Sequence, residues 1–154
     1  MRLRDFLDPA LVICDLQAKD TRELLSSISE RVHRVHPGLD KKTLLSKLQE
    51  REEKSSSGLE CGVAVPHAMV PGVEKAICVA IRLAGDIDVQ TVDGSKVCIV
   101  FALISPLDGV ATHIRLLARI ARLCSNQAFI DNMLEAKDAA ALYQVILAED
   151  NRHV

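Results

Sequence analysis

Three short apolar runs near the middle of the chain constrain its fold more than any other feature. They are rich in β-branched residues, are bounded by Gly, Pro and Asp, and span Val63–Val65, Ala76–Leu83 and Val97–Ile104. A strand that is buried on both faces has a nearly continuous apolar sequence, whereas a strand with one wet face alternates. The runs therefore predict strands of a sheet that is covered on both sides, and Leu11–Cys14 is a further candidate strand.

The segment before these runs has helical periodicity. Asp20 is the predicted N-cap of a helix over 21–34, because apolar residues follow it at helical spacing and a Pro-Gly pair ends the pattern. Asp40 is the predicted N-cap of a second helix, whose leucine stripe leads into the charged segment 51–54. Two consecutive helices are therefore expected before the central strands.

The last third of the chain returns to helical spacing. We predict a helix that begins near Thr112, a short helix around Phe129 and Met133, and a last helix that carries Leu142 and Ile146. The face of the first helix that spacing predicts to be buried consists of Ile114, Leu117, Ile120, Ala121 and Cys124.

The predicted element order is roughly β-α-α-β-β-β-α-α-α. Helices and strands are neither segregated nor strictly alternating, so we expect an α/β fold with a mixed sheet and helices on both of its faces. The 154 residues suffice for one core but not for two large domains, and the 49% of hydrophobic residues excludes wholesale disorder. We expect a single domain over residues 1–154.

Charge and cysteine content restrict the binding partners and the cellular compartment that we expect for this chain. The 19 Lys and Arg are offset by 21 Asp and Glu, so the chain lacks the basic field that nucleic-acid binding usually needs. No apolar run approaches the roughly 18 residues that cross a bilayer, and acidic residues interrupt any signal-peptide pattern at the N-terminus. Five widely spaced cysteines fit a reducing compartment. We expect a cytoplasmic protein that neither enters a membrane nor binds nucleic acid.

Metal and nucleotide signatures are missing from the sequence. Cys61 and His67 form the closest Cys–His grouping, and no second close pair completes a four-ligand zinc pattern. Nearness in sequence does not supply the geometry by which His67 would activate a Cys61 nucleophile. Neither the P-loop motif nor the dinucleotide-binding glycine motif occurs. We expect no metal and no cofactor.

His67 is the strongest candidate for a functional residue. An apolar strand leads into Pro66, whose ring fixes its own φ and keeps the preceding residue extended, so His67 is expected at a strand end. Strand ends carry the ligand sites of open α/β sheets. An imidazole titrates near pH 6.5, so at neutral pH it is nucleophilic enough to attack phosphorus and form a phosphohistidine. The alternative is a histidine whose ring only bonds the backbone.

His113 and Arg51 are the residues expected to assist His67. His113 lies near the predicted start of the helix at Thr112, where unpaired N–H groups and the positive end of the helix dipole favour a phosphoryl group. Arg51 offers a planar guanidinium that matches phosphoryl oxygens. Taken alone, each is more often an exposed residue on a helix surface.

Taken in order along the chain, these residues resemble a known family. The matching elements are Arg51-Glu52, Ser57-Gly58-Leu59, Gly62-Val-Ala-Val-Pro-His67, Asp93-Gly94, Pro106 and His113. From about Leu7 to Leu147, the chain resembles the enzyme IIA domain of the fructose, mannitol and nitrogen-regulatory branch of the sugar phosphotransferase system.

The resemblance implies a three-layer α/β/α sandwich with a mixed central sheet, and a protein that carries a phosphoryl group. It implies that His67 accepts this group from a histidine phosphocarrier protein, with His113 as its catalytic neighbour and Arg51 and Ser57 as phosphate-binding residues. The downstream partner would be a regulatory protein or a permease IIB domain. The chain ends without an attached transport domain, so we expect the nitrogen-regulatory type, with a sugar-specific IIA component as the alternative.

Two positions depart from the family pattern. Glu60 stands where the family usually has Gly, and we expect its carboxylate to lie near His67, repel a phosphoryl dianion and favour the imidazolium form. Ala68-Met69 replaces a pair that is usually small or polar and often basic, which affects the choice of partner.

Glu60 therefore supports a second hypothesis, a regulatory module of the same fold that docks on other proteins without turning phosphate over. A third hypothesis is a cytoplasmic scaffold of the anion-transport type with the same architecture. It is less favoured, because such a scaffold has no need of His67.

Overall fold

The computed structural model describes residues 1–153, which contain a five-stranded sheet and five helices. The strands are β1 (Leu7–Leu16), β2 (Val63–Ala64), β3 (His67–Met69), β4 (Ile77–Ile87) and β5 (Val97–Ser105). The helices are α1 (Thr21–Val35), α2 (Lys41–Lys54), α3 (Val110–Cys124), α4 (Gln127–Glu135) and α5 (Ala139–Arg152), preceded by a 3-10 turn at Leu3–Asp5. The predicted order is confirmed, with one additional short strand.

The sheet is mixed, as predicted. Its order is β1-β4-β5-β2, and β3 pairs with β5 as well. Strand β1 runs parallel to β4, β2 and β3 run parallel to β5, and β4 and β5 are antiparallel. Strands β2 and β3 follow each other along the same edge of β5, where Val63 pairs with Ile99 and His67 with Leu103.

Pro66 separates β2 from β3 without breaking their alignment. Proline has no N–H to give to a ladder, so the pairing is interrupted there. Its carbonyl still accepts the N–H of Leu103 at 2.9 Å. The extended segment therefore continues along β5 and brings His67 to the end of the sheet.

Helices cover both faces of the sheet, which confirms the three-layer sandwich. Helices α1 and α2 pack on one face through buried apolar side chains that include Leu24, Ile28 and Leu44. Helices α3, α4 and α5 supply the core on the other face. Alternate residues of β4 point to opposite cores, and each large side chain buried there contributes about 1.5–3 kcal/mol.

The predicted helix starts in the first half of the chain are confirmed by their caps. The Asp20 carboxylate accepts the N–H of Glu23 at 2.9 Å, and the Asp40 carboxylate accepts the N–H of Thr43 at 3.0 Å. Such caps satisfy N–H groups that have no partner within the helix. No helix in residues 1–153 is both long and apolar enough to span a bilayer.

The prediction for α3 was partly wrong. The helix begins at Val110 rather than near Thr112, with Gly109 as its N-cap. A Cβ on Gly109 would lie 2.8 Å from Cγ of Pro106, so this tight turn requires glycine. The buried face is formed by His113, Leu116, Ile120, Leu123 and Cys124. Ile114, predicted to be buried, is 59% exposed, because a helix with apolar residues on more than one side does not reveal its rotation from spacing alone.

Candidate functional site

Three elements meet around an open depression at one end of the sheet. His67 is the first residue of β3, Arg51 lies in the last turn of α2, and His113 lies in the first turns of α3. The depression encloses about 370 Å³, and its other lining residues are Lys47, Glu50, Lys54, Ala68 and Met69. The structure thus brings His67, Arg51 and His113 together.

The His67 ring is held in one tautomer. Its Nδ1 lies 2.7 Å from the carbonyl oxygen of Val65, and because a carbonyl can only accept, Nδ1 carries the proton. Its Nε2 is then unprotonated and accepts the Nε–H of Arg51 at 3.1 Å. The ring does bond the backbone, as the alternative interpretation required, but only through one nitrogen. The other nitrogen presents its lone pair in the depression.

Arg51 is held by the end of its own helix. Its Nη1 donates to the carbonyl of Ser55 at 2.8 Å and to the Ser55 hydroxyl at 3.2 Å. Ser55 is the C-cap residue of α2. The guanidinium is therefore anchored through one nitrogen while Nε contacts the imidazole, and it keeps further N–H groups for an anion.

His113 is buried and oriented by a serine. Only 7% of its surface is exposed, and its ring centroid lies 5.3 Å from that of His67. Its Nδ1 lies 2.6 Å from Oγ of Ser105, which is fully buried at the end of β5. Within residues 1–153 the Ser105 hydroxyl has no other acceptor, so we assign it as the donor to Nδ1 and the ring proton to Nε2.

The backbone position of His113 differs from the prediction. Its N–H already bonds the Gly109 carbonyl at 2.9 Å, so the free N–H groups of the helix start precede it. The side chain, rather than the backbone, is what His113 brings to the depression.

Both imidazoles have lowered pKa values. Burial lowers the pKa of His67 and the Arg51 charge lowers it further, while the Val65 carbonyl and the Glu52 carboxylate act in the opposite direction. Burial lowers the pKa of His113 to about 4, assisted by the charges of His67 and Arg51. At neutral pH both rings are therefore uncharged, and the Nε2 lone pair of His67 is available as a nucleophile.

Ser57 is not among the residues that line the depression. It is 6% exposed, and its hydroxyl and N–H both bond the Glu52 carboxylate, at 2.8 and 3.0 Å. Its polar groups are thus engaged inside the protein rather than turned toward a bound anion.

The expectation that Glu60 lies beside His67 was wrong. Glu60 precedes β2 and lines a different cleft together with Cys61 and Cys124. Cys61 and Gly62 form a turn with φ values of 56° and 75°, and the extended residues from Val63 onward rise about 3.3 Å each, which carries His67 away from Glu60. The carboxylate that affects the pKa of His67 is Glu52.

Sequence reasoning missed three contributors to the site. Lys47 and Lys54 line the depression with Arg51, and their spacing of four and three residues along α2 was a readable signal for one helix face. Ser105 carried no such signal, because its contact with His113 depends on how α3 folds back over β5. In residues 1–153 no group of three or more His, Cys, Asp or Glu side chains could hold a metal ion.

Comparison with known proteins identifies the family. The family model described as "Phosphoenolpyruvate-dependent sugar phosphotransferase system, EIIA 2" matches residues 5–149. The chain belongs to this family. Among its relatives, a nitrogen regulatory protein of Bradyrhizobium diazoefficiens is 30% identical over 95% of each chain. A nitrogen regulatory protein of Pseudomonas aeruginosa is 28% identical over 98% of each chain.

Solved structures agree with this assignment at the level of the fold. The nitrogen regulatory protein IIA-Ntr of Neisseria meningitidis superimposes with a TM-score of 0.87 at 22% identity, covering 94% of this chain and 98% of its own. The mannitol IIA of Escherichia coli superimposes with a TM-score of 0.76 at 12% identity, covering 90% and 97%. The three-layer EIIA fold therefore persists at low sequence identity.

Proposed function

We propose that this EIIA protein carries a phosphoryl group on Nε2 of His67 and receives it from a histidine phosphocarrier protein. The observation that carries the proposal is the state of the His67 ring. Its Nδ1–H is committed to the Val65 carbonyl, while Nε2 is unprotonated beside Arg51 in an open depression. A neutral imidazole with one free nitrogen is the form that attacks phosphorus.

The transfer is a single displacement at phosphorus. The Nε2 lone pair of His67 forms the new N–P bond as the bond between phosphorus and the donor imidazole nitrogen breaks, and the electron pair of that bond returns to the donor. The Nδ1 proton of His67 stays in place. The positive charge that develops on the ring is stabilised by the Val65 carbonyl 2.7 Å away.

Arg51 and His113 stabilise the phosphoryl oxygens. Arg51 already donates to Nε2 through Nε, so as phosphorus approaches, its N–H groups pass from the nitrogen to the oxygens bound to it. His113, with its ring 5.3 Å from that of His67, donates Nε2–H to the same group. Lys47 is paired with Glu50 at 3.6 Å, but with Lys54 and Arg51 the lining keeps a net positive charge, which favours the approach of an anionic phosphoryl group.

An apolar patch beside the depression provides a docking surface for the donor. Leu107, Val110 and Ile114 are 58%, 54% and 59% exposed around the start of α3. Large exposed apolar side chains that cluster next to a reactive group are typical of protein-binding surfaces. Contact here would align the donor imidazole with Nε2 of His67.

The relatives support the nitrogen-regulatory type and a downstream regulatory partner. Nitrogen regulatory proteins match this chain over nearly the whole of both sequences. The fructose-specific EIIABC component of Bacillus subtilis is 21% identical, and this chain covers 24% of it. The alternative is that the chain serves a sugar-specific IIB domain, as in the solved complex of mannitol IIA with phosphorylated mannitol IIB of Escherichia coli. We further propose a cytoplasmic location, with which five free cysteines in residues 1–153 agree.

The decisive experiment is phosphorylation from phosphoenolpyruvate. The purified protein is incubated with phosphoenolpyruvate, the kinase of the system and the phosphocarrier, and its intact mass is measured. We expect an acid-labile gain of one phosphoryl group that is lost in His67→Ala and retained in His36→Ala, a control histidine outside the depression. A gain that persists in His67→Ala would refute the assignment.

Lack of any gain in the unmutated protein, with a phosphorylated carrier, would favour the docking module without phosphate turnover. The docking-module hypothesis was based on a Glu60 carboxylate beside His67, but Glu60 lies in another cleft.

A further inference from the structure

Both oxygens of the Glu52 carboxylate accept hydrogen bonds from Ser57. Oε2 accepts the Ser57 N–H at 3.0 Å, and Oε1 accepts the Ser57 hydroxyl at 2.8 Å. Glu52 lies in the last turn of α2, directly after Arg51, and Ser57 lies in the segment that leaves this helix. Two charge-assisted hydrogen bonds to one residue fix its position and orientation better than one.

Ser57 passes this constraint to the backbone that orients His67. The Ser57 carbonyl accepts the N–H of Val65 at 2.9 Å, and the Val65 carbonyl accepts Nδ1–H of His67 at 2.7 Å. A second bond, from the N–H of Leu59 to the Val63 carbonyl at 2.7 Å, holds the same two segments together. Val65, whose carbonyl sets the tautomer of the nucleophile, is thus connected to α2 through Ser57 and Glu52.

Tight packing around Gly58 restricts movement of the segment that contains Ser57. A Cβ at Gly58 would lie 2.1 Å from the carbonyl oxygen of Gln90, so the segment lies tightly between residues 63–65 and the loop that carries Gln90. The Ser56 hydroxyl donates to the same carbonyl at 2.6 Å. The 56–59 segment therefore has little freedom to shift while Glu52 holds Ser57.

We propose that Glu52 and Ser57 form a positioning pair for the phosphoryl transfer, which holds the Val65 carbonyl where it keeps the His67 proton on Nδ1. The proposal rests on the proposed function of His67, and neither residue touches the phosphoryl group. It gives Ser57 a role different from the phosphate-binding role that the family resemblance implied.

Glu52 has a second effect that can be separated from the first. Its negative charge raises the pKa of His67, against the lowering by burial and Arg51. Ser57→Ala changes the geometry without changing this charge. Glu52→Asp keeps the charge but shortens the side chain by one methylene, which draws the carboxylate away from Ser57. Glu52→Gln removes the charge and leaves only one acceptor oxygen.

The first measurement is the rate of phosphoryl transfer from the phosphorylated carrier. We expect Ser57→Ala and Glu52→Asp to slow it on the order of tenfold, as loss of a partner that orients a reactive group commonly does. Ser57→Thr, which keeps the hydroxyl, should restore most of the rate. Glu53→Gln is the matched control, since it removes a neighbouring carboxylate that makes no hydrogen bond to Ser57, and it should leave the rate unchanged.

A double-mutant cycle tests whether the two residues act as one unit. If they do, Glu52→Gln combined with Ser57→Ala is no slower than the slower single variant. Additive losses of rate would overturn the proposal, because they would mean that the two side chains act independently.

The second measurement does not depend on phosphoryl transfer. Nitrogen-15 NMR of the histidine rings reports which nitrogen of His67 carries the proton. In Ser57→Ala and Glu52→Asp we expect a mixture of tautomers, where the unmutated protein has only the Nδ1–H form. A single unchanged tautomer in both variants would overturn the proposal even if their transfer is slow.

These two measurements also distinguish failure of this inference from failure of the proposed function. If the unmutated protein accepts no phosphoryl group, the proposed function fails, while the tautomer measurement still tests the positioning pair. Thermal unfolding identifies variants that lose the fold. Ser57→Thr then provides a folded reference at Ser57, and Glu53→Gln provides one at the residue next to Glu52.

Discussion

Two clusters of polar side chains in this protein are built from similar groups but have different roles. At the junction of the N-terminal turn with α5, the Asp150 carboxylate is fully buried. It accepts the N–H of Leu3 and of Arg4, both at 3.0 Å, and Nε–H of Arg119 at 2.8 Å. At the His67 depression, Arg51 and two histidines converge on a space of about 370 Å³.

The difference lies in how completely the protein satisfies its own polar groups. Asp150 has each of its oxygens occupied by a donor of the same chain, so the cluster ties the N-terminal turn, α3 and α5 together and leaves nothing for a ligand. The His67 Nε2 has a single partner, a guanidinium that can pass to an incoming anion. Complete internal pairing stabilises a fold, whereas incomplete pairing at an open surface prepares a site.

The largest effect is expected from removing the buried carboxylate of Asp150, which tests whether this cluster serves only the fold. Asp150→Ala leaves Arg119, whose side chain is 11% exposed, without its charge partner. Removing one member of a buried pair costs about 3–5 kcal/mol, so the urea midpoint should decrease strongly. Phosphorylation per folded molecule should remain close to that of the unmutated protein.

Glu30→Ala is the control for Asp150→Ala. Glu30 pairs with Arg34 at 3.6 Å, and both side chains are more than half exposed. An exposed pair of this kind contributes about 0–1 kcal/mol. Equal losses of stability in the two variants would contradict the assignment of Asp150 as a buried structural link.

The complementary variant removes the Arg51 guanidinium from the candidate site, where we expect an effect on phosphoryl transfer and not on stability. Arg51→Ala should slow phosphoryl transfer by about 10²–10³, the loss expected when one donor to the developing charge is deleted. Its free energy of unfolding should change little, because Arg51 bonds mainly the end of its own helix and one ring. Lys42→Ala, an exposed cation on the same helix, is the control. An equal slowing in Lys42→Ala would indicate a general charge effect instead.

A smaller effect is expected at the apolar patch. Ile114→Glu places a charge where the donor protein would bury an apolar side chain, which costs about 1.5–3 kcal/mol of docking energy. We expect KM for the phosphorylated carrier to rise about tenfold or more while kcat changes little. Leu134→Glu alters an equally apolar residue that is 43% exposed on α4, away from the depression. If both variants behave alike, the patch around Ile114 is not the docking surface.

The smallest expected effect is the response of the site histidines to pH. His67 and His113 have pKa values below the ordinary 6.5, that of His113 at about 4. In the folded state they bind protons more weakly than in the unfolded state, so their contribution to stability is present above about pH 6.5 and is lost as the pH falls through their folded pKa values. His113→Asn should therefore lose less stability between pH 7 and pH 4.5 than the unmutated protein, measured by urea unfolding.

The same pKa values predict the pH profile of transfer. The rate should still be level at pH 6.5 and should decrease only at lower pH, because the pKa of His67 lies below the ordinary 6.5. Arg51 lowers the pKa of His67, so in Arg51→Ala the residual rate should begin to decrease at a higher pH. A shift to lower pH would contradict the assigned effect of the guanidinium.

Local chemistry made much of the fold readable from the sequence. Asp20 and Asp40 cap helices wherever an apolar stripe follows them, and continuous β-branched runs are buried on both sides because only a covered sheet accepts them. Pro66 placed His67 at a strand end for the same kind of local reason. The rotation of α3 was not readable, since Ile114 and Leu116 are equally apolar and only packing against the sheet chooses between them.

The candidate site likewise has some features that the sequence determines and others that only the tertiary structure determines. The residue types of His67, His113 and Arg51, and the family pattern around them, are properties of the sequence. Their convergence, the burial that keeps both rings neutral, and the contact of Ser105 with His113 come from packing. The folded chain also pairs Ser57 with Glu52 and places Glu60 at a different cleft. Hydrogen bonds and charge effects act through distance in space, and only the folded chain determines which residues distant in sequence come within that distance.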